Sequence, residues 1–160
     1  MITIKPAVIT PVAHIENDFI TTAGIPHQSG ILTNMESRII FEPEYRSPDL
    51  LQGIEETAYI WLIWQFSENL DSGWTPLVHP PNSTEKTEKG VFATRTPFRP
   101  NSLGLSCVKL SGIEISPALG TILIIKGADL MNGTPIFDIK PYICFSDCRS
   151  ELSVFSNKIR

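Results

Sequence analysis

Hydrophobic positions fall in short runs of strand length, broken by proline, glycine and polar turn formers, and none keeps a helical repeat long enough for an extended helix. Thirteen prolines spread over 160 residues point the same way, because each removes a backbone donor and fixes one dihedral. β-Branched and aromatic residues gather at 3–12, 38–42, 58–67, 90–94, 107–115 and 121–126, the predicted strands of an all-β fold. The run AYIWLIWQF (58–66) is apolar almost throughout, which predicts cover on both faces, by core on one side and by another segment or subunit on the other. In CVKLSGIEI (107–115), Val108 and Leu110 share one alternation phase and Ile113 and Ile115 the other, so a bulge is expected at Gly112. A single short helix is predicted in PDLLQGIEE (48–56), with Ser47 as N-cap and Pro48 at its first position. Its Leu50 and Leu51, with Ile54 beyond, would plug one end of a barrel. Residues 71–89 are rich in Gly, Pro, Ser, Thr and Lys and predict a long, mobile loop of the kind that often carries function.

Length and composition fit one domain spanning 1–160: 42% of residues are hydrophobic and 19% charged, and no run approaches the roughly 18 apolar residues of a membrane span. The first residues lack the basic start and continuous apolar core of a secretory signal, so a cytoplasmic location is expected, with no membrane partner. Three cysteines cannot all pair within one chain, and CFSDC (144–148) has no histidine at ligand spacing, so reduced thiols and no metal are expected. The net charge of −4 hides an asymmetry: residues 1–84 carry 3 basic and 10 acidic side chains, whereas 85–109 carry 5 and 2. Bulk attraction to nucleic acid is thereby excluded, while a focused basic strip can still meet a few phosphates or one anionic ligand.

That strip contains GVFATRTPFRPNSLGLS (90–106). Pro97 and Pro100 hold Thr96 and Arg99 extended, which presents Arg95 and Arg99 from a stiff backbone suited to pairing with a carboxylate or phosphate. Asn101 and Gly104 tolerate positive φ and would let backbone amides approach a ligand. A structural β-turn fits the same composition. A second dense stretch, ADLMNGTPIFDIKPY (128–142), places a turn at Asn132–Pro135 and then Asp138 and Lys140 two apart, hence on one face of an extended segment. Such a pair is an ordinary surface ion pair unless it faces a pocket, where it could take a proton and hold an anion.

The two stretches, with GIPHQSG (24–30), AYIWLIWQFSEN and GWTPLVHPP, resemble in order the hallmark segments of the TrmO/YaeB-like family over about residues 6–147. The resemblance implies a single-domain β-barrel with short helical segments that forms a homodimer, its cofactor site near the subunit interface. It also implies an S-adenosylmethionine-dependent methyltransferase acting on the exocyclic nitrogen of threonylcarbamoyladenosine next to the anticodon of tRNA. Carried over residue by residue, the cofactor-binding positions are Pro26, His27, Gln28, Ser67, Glu68, Arg95, Leu105, Asn132, Gly133, Thr134 and Pro135. Asp138 is the candidate proton acceptor, Lys140 and Tyr142 orient the acceptor or substrate, and Arg99 meets the threonyl carboxylate or a phosphate.

The chain departs from the family pattern at four of its motif positions. His27 stands for the usual arginine, Ser67 for a frequent histidine, Ser102 for the proline after Asn101, and Asn132 for the aspartate before Gly-Thr-Pro. These changes bear on the acceptor more than on the fold, and leave open a small amine or amino-acid-like acceptor, or a cofactor-sensing barrel without catalysis. The chain also ends soon after its motifs, so the extra C-terminal domain of longer relatives is not expected.

Overall fold

The computed structural model describes residues 5–22, 24–32, 34–79 and 87–149. Within them run the strands β1 (Ala13–Glu16), β2 (Glu36–Phe41), β3 (Tyr59–Gln65), β4 (Leu77–Val78), β5 (Lys89–Gly90), β6 (Leu103–Ser116), β7 (Gly120–Lys126) and β8 (Pro135–Pro141), followed by a single helical turn, α1 (Cys144–Asp147). Six of them pair antiparallel in the order β1-β2-β7-β6-β3-β8, and β8 pairs back onto β1, so the main sheet is a closed barrel. β4 and β5 form a separate two-stranded ribbon.

Alternation fixes the barrel's inside. On β3, Ile60, Leu62 and Trp64 point inward and are buried, while Tyr59, Trp61, Ile63 and Gln65 line the outer face at partial exposure. Ile15, Ile39, Val108, Leu123, Ile125, Leu130 and Ile136 complete the interior, each almost fully removed from water, and each such aliphatic side chain contributes about 1.5–3 kcal/mol. Cover on both faces belongs to β7, not to β3. Residues 121–125 are all buried, because Ile122 and Ile124 pack with Ile40 and Leu119 in a second, smaller cluster outside the barrel. The expected bulge is present, since the β6–β7 register shifts between Leu110 and Gly112.

Three predicted elements differ. The residues of 3–12 that the structure describes lie outside any strand, and pairing starts only at Ala13. The 90–94 run is mostly a 3₁₀ turn (Val91–Ala93) closed by the Thr94 amide on the Val91 carbonyl. The predicted helix resolves into two 3₁₀ turns, Pro48–Leu51 and Ile54–Glu56, because Gly53 at φ 87° breaks the right-handed path between them. Ser47 is extended but caps no amide with its side chain. Leu51 and Ile54 do pack against the core, whereas Leu50 is 62% exposed. Of the loop 71–89, residues 80–86 lie outside the described residues; the start belongs to a 3₁₀ segment, Ser67–Ser72, and part of the rest to the β4–β5 ribbon.

The strand order has one consequence for function. Antiparallel alternation sends the β1–β2 connection (17–35), the β3–β6 connection (66–102) and the β7–β8 connection (127–134) out of the same end of the barrel.

Candidate functional site

The cofactor-binding positions expected from the sequence sit on these three connections, apart from Leu105 and Pro135 at the adjoining strand starts. Backbone bonds stitch the connections to the barrel. The Gly30 amide donates to the Gly127 carbonyl at 2.8 Å, docking the segment that holds Pro26, His27 and Gln28 beside the end of β7. The Phe66 amide donates to the Ser102 carbonyl at 2.9 Å, which fixes the 99–102 turn next to Ser67 and Glu68.

Within that turn Arg99 is extended (φ −122°, ψ 155°), as the following proline requires, and its Nη1 donates to the Thr94 carbonyl at 3.0 Å. Positive φ falls on Asn101 (66°) and Ser102 (50°), not on Gly104. Gly104 has a different role: a Cβ there would lie 2.3 Å from Cε2 of Trp64, so glycine lets the indole lie flat on the β6 backbone. Trp64 Nε1 in turn donates to Ser106 Oγ at 2.9 Å.

The turn Asn132–Pro135 is anchored by its own amides. Asn132, Gly133 and Thr134 donate to the carbonyls of Phe19, Ile15 and Met131, and Asn132 Oδ1 accepts from the Asn17 amide. These three amides are therefore spent within the protein. What the turn offers instead is the Asn132 and Gly133 carbonyl oxygens, which suit N–H donors such as an adenine amino group or an ammonium. Gly133 at φ 79° has open space around it, so a ligand can approach this backbone closely.

Asp138, Lys140 and Tyr142 follow one another along the outer face of β8 and beyond it. Register places Asp138 beside Ile63, which pairs with Leu105 across β6, and Lys140 beside Trp61, which pairs with Cys107. The two charged groups form a half-exposed ion pair, with Lys140 Nζ 2.8 Å from Asp138 Oδ2, and Oδ1 accepts from the Ile139 amide. Tyr142 packs against Tyr59 and Trp61 with ring centroids 6.3 and 5.9 Å away. Partial desolvation of its hydroxyl, with the nearby thiols and Asp147, raises its pKa from the ordinary tyrosine value. Leu105, at 52% exposure, closes this row of the outer face.

Sequence reasoning passed over Asp129, although the stretch containing it was singled out. Its Oδ1 accepts from Ser106 Oγ at 2.5 Å, and its carboxyl is pushed above the usual range, chiefly by burial, with Ser106, its own amide, the Ser29 amide and Arg95 pulling it back. The signal was a carboxylate set between the buried Ala128 and Leu130. The depressions lined by residues 16–18 and 36–38 and by Glu55, Thr57 and residues 110–113 contain none of the expected site residues. No group of three or more metal-ligating side chains occurs among the described residues, nor any helix long and apolar enough to cross a membrane.

The signature of the tRNA-methyltransferase O N-terminal domain matches residues 14–148. A tRNA (adenine(37)-N6)-methyltransferase of Escherichia coli K12 is 33% identical over 129 residues, covering 81% of this chain and 54% of its own. A probable S-adenosyl-L-methionine-binding protein of Pyrococcus abyssi is 36% identical over 144 residues, covering 90% of this chain and 72% of its own. The crystal structure of TrmO from Pseudomonas aeruginosa superposes with a TM-score of 0.75 at 30% identity, over 92% of this chain and 60% of that one. This chain thus spans about half the length of the Escherichia coli relative. With the signature covering most of its length and the barrel matching a solved member, the chain belongs to the tRNA-methyltransferase O family through its N-terminal domain.

Proposed function

We propose that residues 1–160 form one methyltransferase domain that uses S-adenosylmethionine to methylate the exocyclic nitrogen of threonylcarbamoyladenosine next to the anticodon of tRNA. The observation that carries this reading is the convergence of three connections, bearing nearly all the family-matched cofactor positions, at one barrel end, from which β8 carries Asp138 and then Lys140 along its outer face toward Tyr142 at the other end. The names of the Escherichia coli and Pyrococcus relatives support the reaction and the cofactor.

The residues present fit the cofactor's chemistry. Arg95 supplies a cation for its carboxylate, Glu68 an exposed anion for its ammonium or ribose hydroxyls, and the Asn132–Gly133 carbonyls accept from its adenine. Pro26, His27, Gln28, Ser67, Leu105, Thr134 and Pro135 line the same end. S-Adenosylmethionine, when bound, supplies a methyl group already attached to a good leaving group, so no Ser or Cys nucleophile is required and positioning dominates. The carbamoyl-bearing nitrogen must lose its proton, and Asp138 accepts it. Lys140 turns from Asp138 to the threonyl carboxylate as substrate arrives, which frees Oδ2 for that proton. Arg99 meets its carboxylate or a phosphate, while Tyr142, past the far end of β8, orients the substrate at a distance from the three connections.

The half-exposed outer row of Tyr59, Ile63 and Leu105 supports a homodimer in which a second subunit covers this face and completes the pocket. A cytoplasmic enzyme with no metal accords with this chemistry. Methyl transfer to tRNA carrying the threonylcarbamoyl group, and not to tRNA lacking it, is the expected result. Transfer to neither RNA would refute the proposal and favour a small amine acceptor. Light scattering should show a dimer, and a monomer at micromolar concentration would refute the shared pocket.

A further inference from the structure

Exposed aromatic side chains gather around the small β4–β5 ribbon of the β3–β6 connection. Among the described residues five Phe, Tyr and Trp side chains are exposed, and three of them, Trp74, Phe92 and Phe98, belong to this connection. Trp74 is 61% and Phe92 79% exposed. Backbone bonds bring the three together. The Val91 amide donates to the Pro76 carbonyl at 3.0 Å, which extends the pairing of Leu77 with Gly90 and sets Phe92 beside the 74–76 segment. The Thr75 amide donates to the Phe98 carbonyl at 3.3 Å, which brings the Phe98 backbone next to Trp74. Leu77, also exposed, stands opposite Gly90, which has no side chain to cover it. None of the three rings stacks on another, since the ring contacts among the described residues join Tyr59 and Trp61 to Tyr142 and Trp64 to Phe66. Their faces are open, and apolar surface grouped in this way marks a place that a partner covers.

The charge around the patch selects the partner. Residues 87–102 carry three cations, Lys89, Arg95 and Arg99, against one carboxylate, Glu88, which faces His79 at 4.0 Å. Lys89 and Arg99 enter no ion pair among the described residues. The other described carboxylates of the connection, Glu68 and Asp71, lie in the Ser67–Ser72 segment that precedes the ribbon. In a chain of net charge −4 this is a local reversal of sign. Open rings beside unpaired cations fit a ligand that alternates flat π-faces with negative charges, namely unpaired nucleotides, whose bases stack on aromatic rings and whose phosphates meet Lys and Arg. An apolar protein surface would use the rings and leave the cations idle. We infer that the β4–β5 ribbon is a stacking platform for the unpaired loop bases that flank the target adenosine, with Trp74 and Phe92 supplying the ring faces and Lys89 a phosphate contact. The inference rests on the tRNA reading above and adds to it the surface that grips the loop. The ribbon's connection leaves the barrel at the same end as the other two, so a base stacked here belongs to the strand that enters the pocket.

The test is fluorescence anisotropy with two labelled RNAs, an anticodon stem–loop and the same stem–loop made abasic on either side of the target adenosine. Each is titrated with the full chain as wild type, Trp74→Ala/Phe92→Ala, Trp74→Phe and Lys89→Ala. The wild type should bind the intact loop about 5- to 150-fold more tightly than the abasic one, the worth of one stacked base. The double alanine variant should bind both RNAs alike, at the wild type's affinity for the abasic loop, whereas Trp74→Phe should keep the preference because it keeps a ring. Lys89→Ala should reduce the slope of log affinity against log salt by about 0.7, the release of one counterion from a single strand; an unchanged slope overturns its phosphate contact. The substituted side chains are exposed, so all variants should match the wild type in thermal melts and in calorimetric binding of S-adenosylmethionine. A double variant that retains the wild-type preference for the intact loop overturns the inference. So does one that light scattering shows to have lost a subunit contact, which would make the ribbon an interface between copies. A wild type that binds S-adenosylmethionine but neither RNA refutes the tRNA reading itself.

Discussion

Replacing Gly104 by alanine tests the joint between the barrel and the functional end. The added Cβ would lie 2.3, 2.5 and 2.7 Å from Cε2, Cζ2 and Cδ2 of Trp64, distances no packed core tolerates. The indole cannot simply slide away. It is only 5% exposed, is packed edge-on against Phe66 with ring centroids 4.4 Å apart, and is tethered through Nε1 to the buried Ser106 hydroxyl. Overpacking of this kind costs about 1–3 kcal/mol, and tearing the indole from Ser106 leaves a buried indole N–H without its acceptor for about 1–3 kcal/mol more. A loss of about 2–6 kcal/mol in a chain of 160 residues lowers Tm by about 4–24 °C at roughly 2–4 °C per kcal/mol. Thermal and urea melts followed by circular dichroism measure it. The double variant Gly104→Ala/Trp64→Leu should be less destabilised than the sum of its parts, because the smaller side chain vacates the space that the methyl needs. A Gly104→Ala protein within about 0.5 kcal/mol of wild type, a surface-like effect, would refute the account.

Three other perturbations follow from the same geometry. Ser102→Pro, which would restore the family's usual residue, should cost about 3 kcal/mol, because proline fixes φ near −65° where Ser102 has φ 50° and also deletes the Ser102 amide bond to Arg99; urea melts read the loss. Asp138→Asn should lower single-turnover methyl transfer by about 10²–10⁴-fold, the usual contribution of a general base, while calorimetry shows S-adenosylmethionine binding unchanged; full activity would remove Asp138 as proton acceptor. Asp147 accepts from the Ile143 amide and from Trp61 Nε1, which lowers its pKa below 3.8. Its stabilisation is thus present above pH 3.8 and is lost as pH falls through the lower folded-state value. Tryptophan emission should report release of α1 in that acid range, and Asp147→Asn should abolish the transition.

The barrel was legible where side-chain chemistry alternates and obscure where pairing alone defines the strand. β2, β3, β6 and β7 announce themselves through Ile, Val, Leu and Trp at strand spacing, and Gly112 marked its own bulge. β1 was placed too early because its four residues, AHIE, carry little apolar signal. Their strand character comes from register with β2 and β8, a tertiary fact. The 48–56 stretch read as helix because Leu50, Leu51 and Ile54 have helical spacing, and local propensity said nothing of the left-handed Gly53 between them. The motif residues fall on the three connections and along β8, except that Tyr142 lies past the end of β8 at the opposite end of the barrel. Asp129 was not singled out because a lone carboxylate between apolar neighbours gives no sign of the buried Ser106 hydroxyl it meets on β6.

The turn through residues 99–104 shows how the same substitution reads differently once the backbone is known. From the sequence, serine in place of proline at 102 loosens a rigid wall. In the structure Ser102 donates its amide to the Arg99 carbonyl at 3.1 Å and accepts the Phe66 amide at 2.9 Å, so two backbone bonds hold the turn that a proline could not make in this conformation. Rigidity has passed from a fixed ring to a hydrogen-bonded pair of positive-φ residues, Asn101 and Ser102, docked on the end of β3. Arg99 is held at the turn's entrance and braced on the Thr94 carbonyl, while Gly104 at its exit admits the Trp64 indole that bonds Ser106 and, through it, Asp129. Arg99 is thereby oriented by the turn's backbone before any ligand arrives. That lowers the entropy lost on pairing with an anion, the property an enzyme needs when its catalysis depends on placing a substrate and not on covalent chemistry.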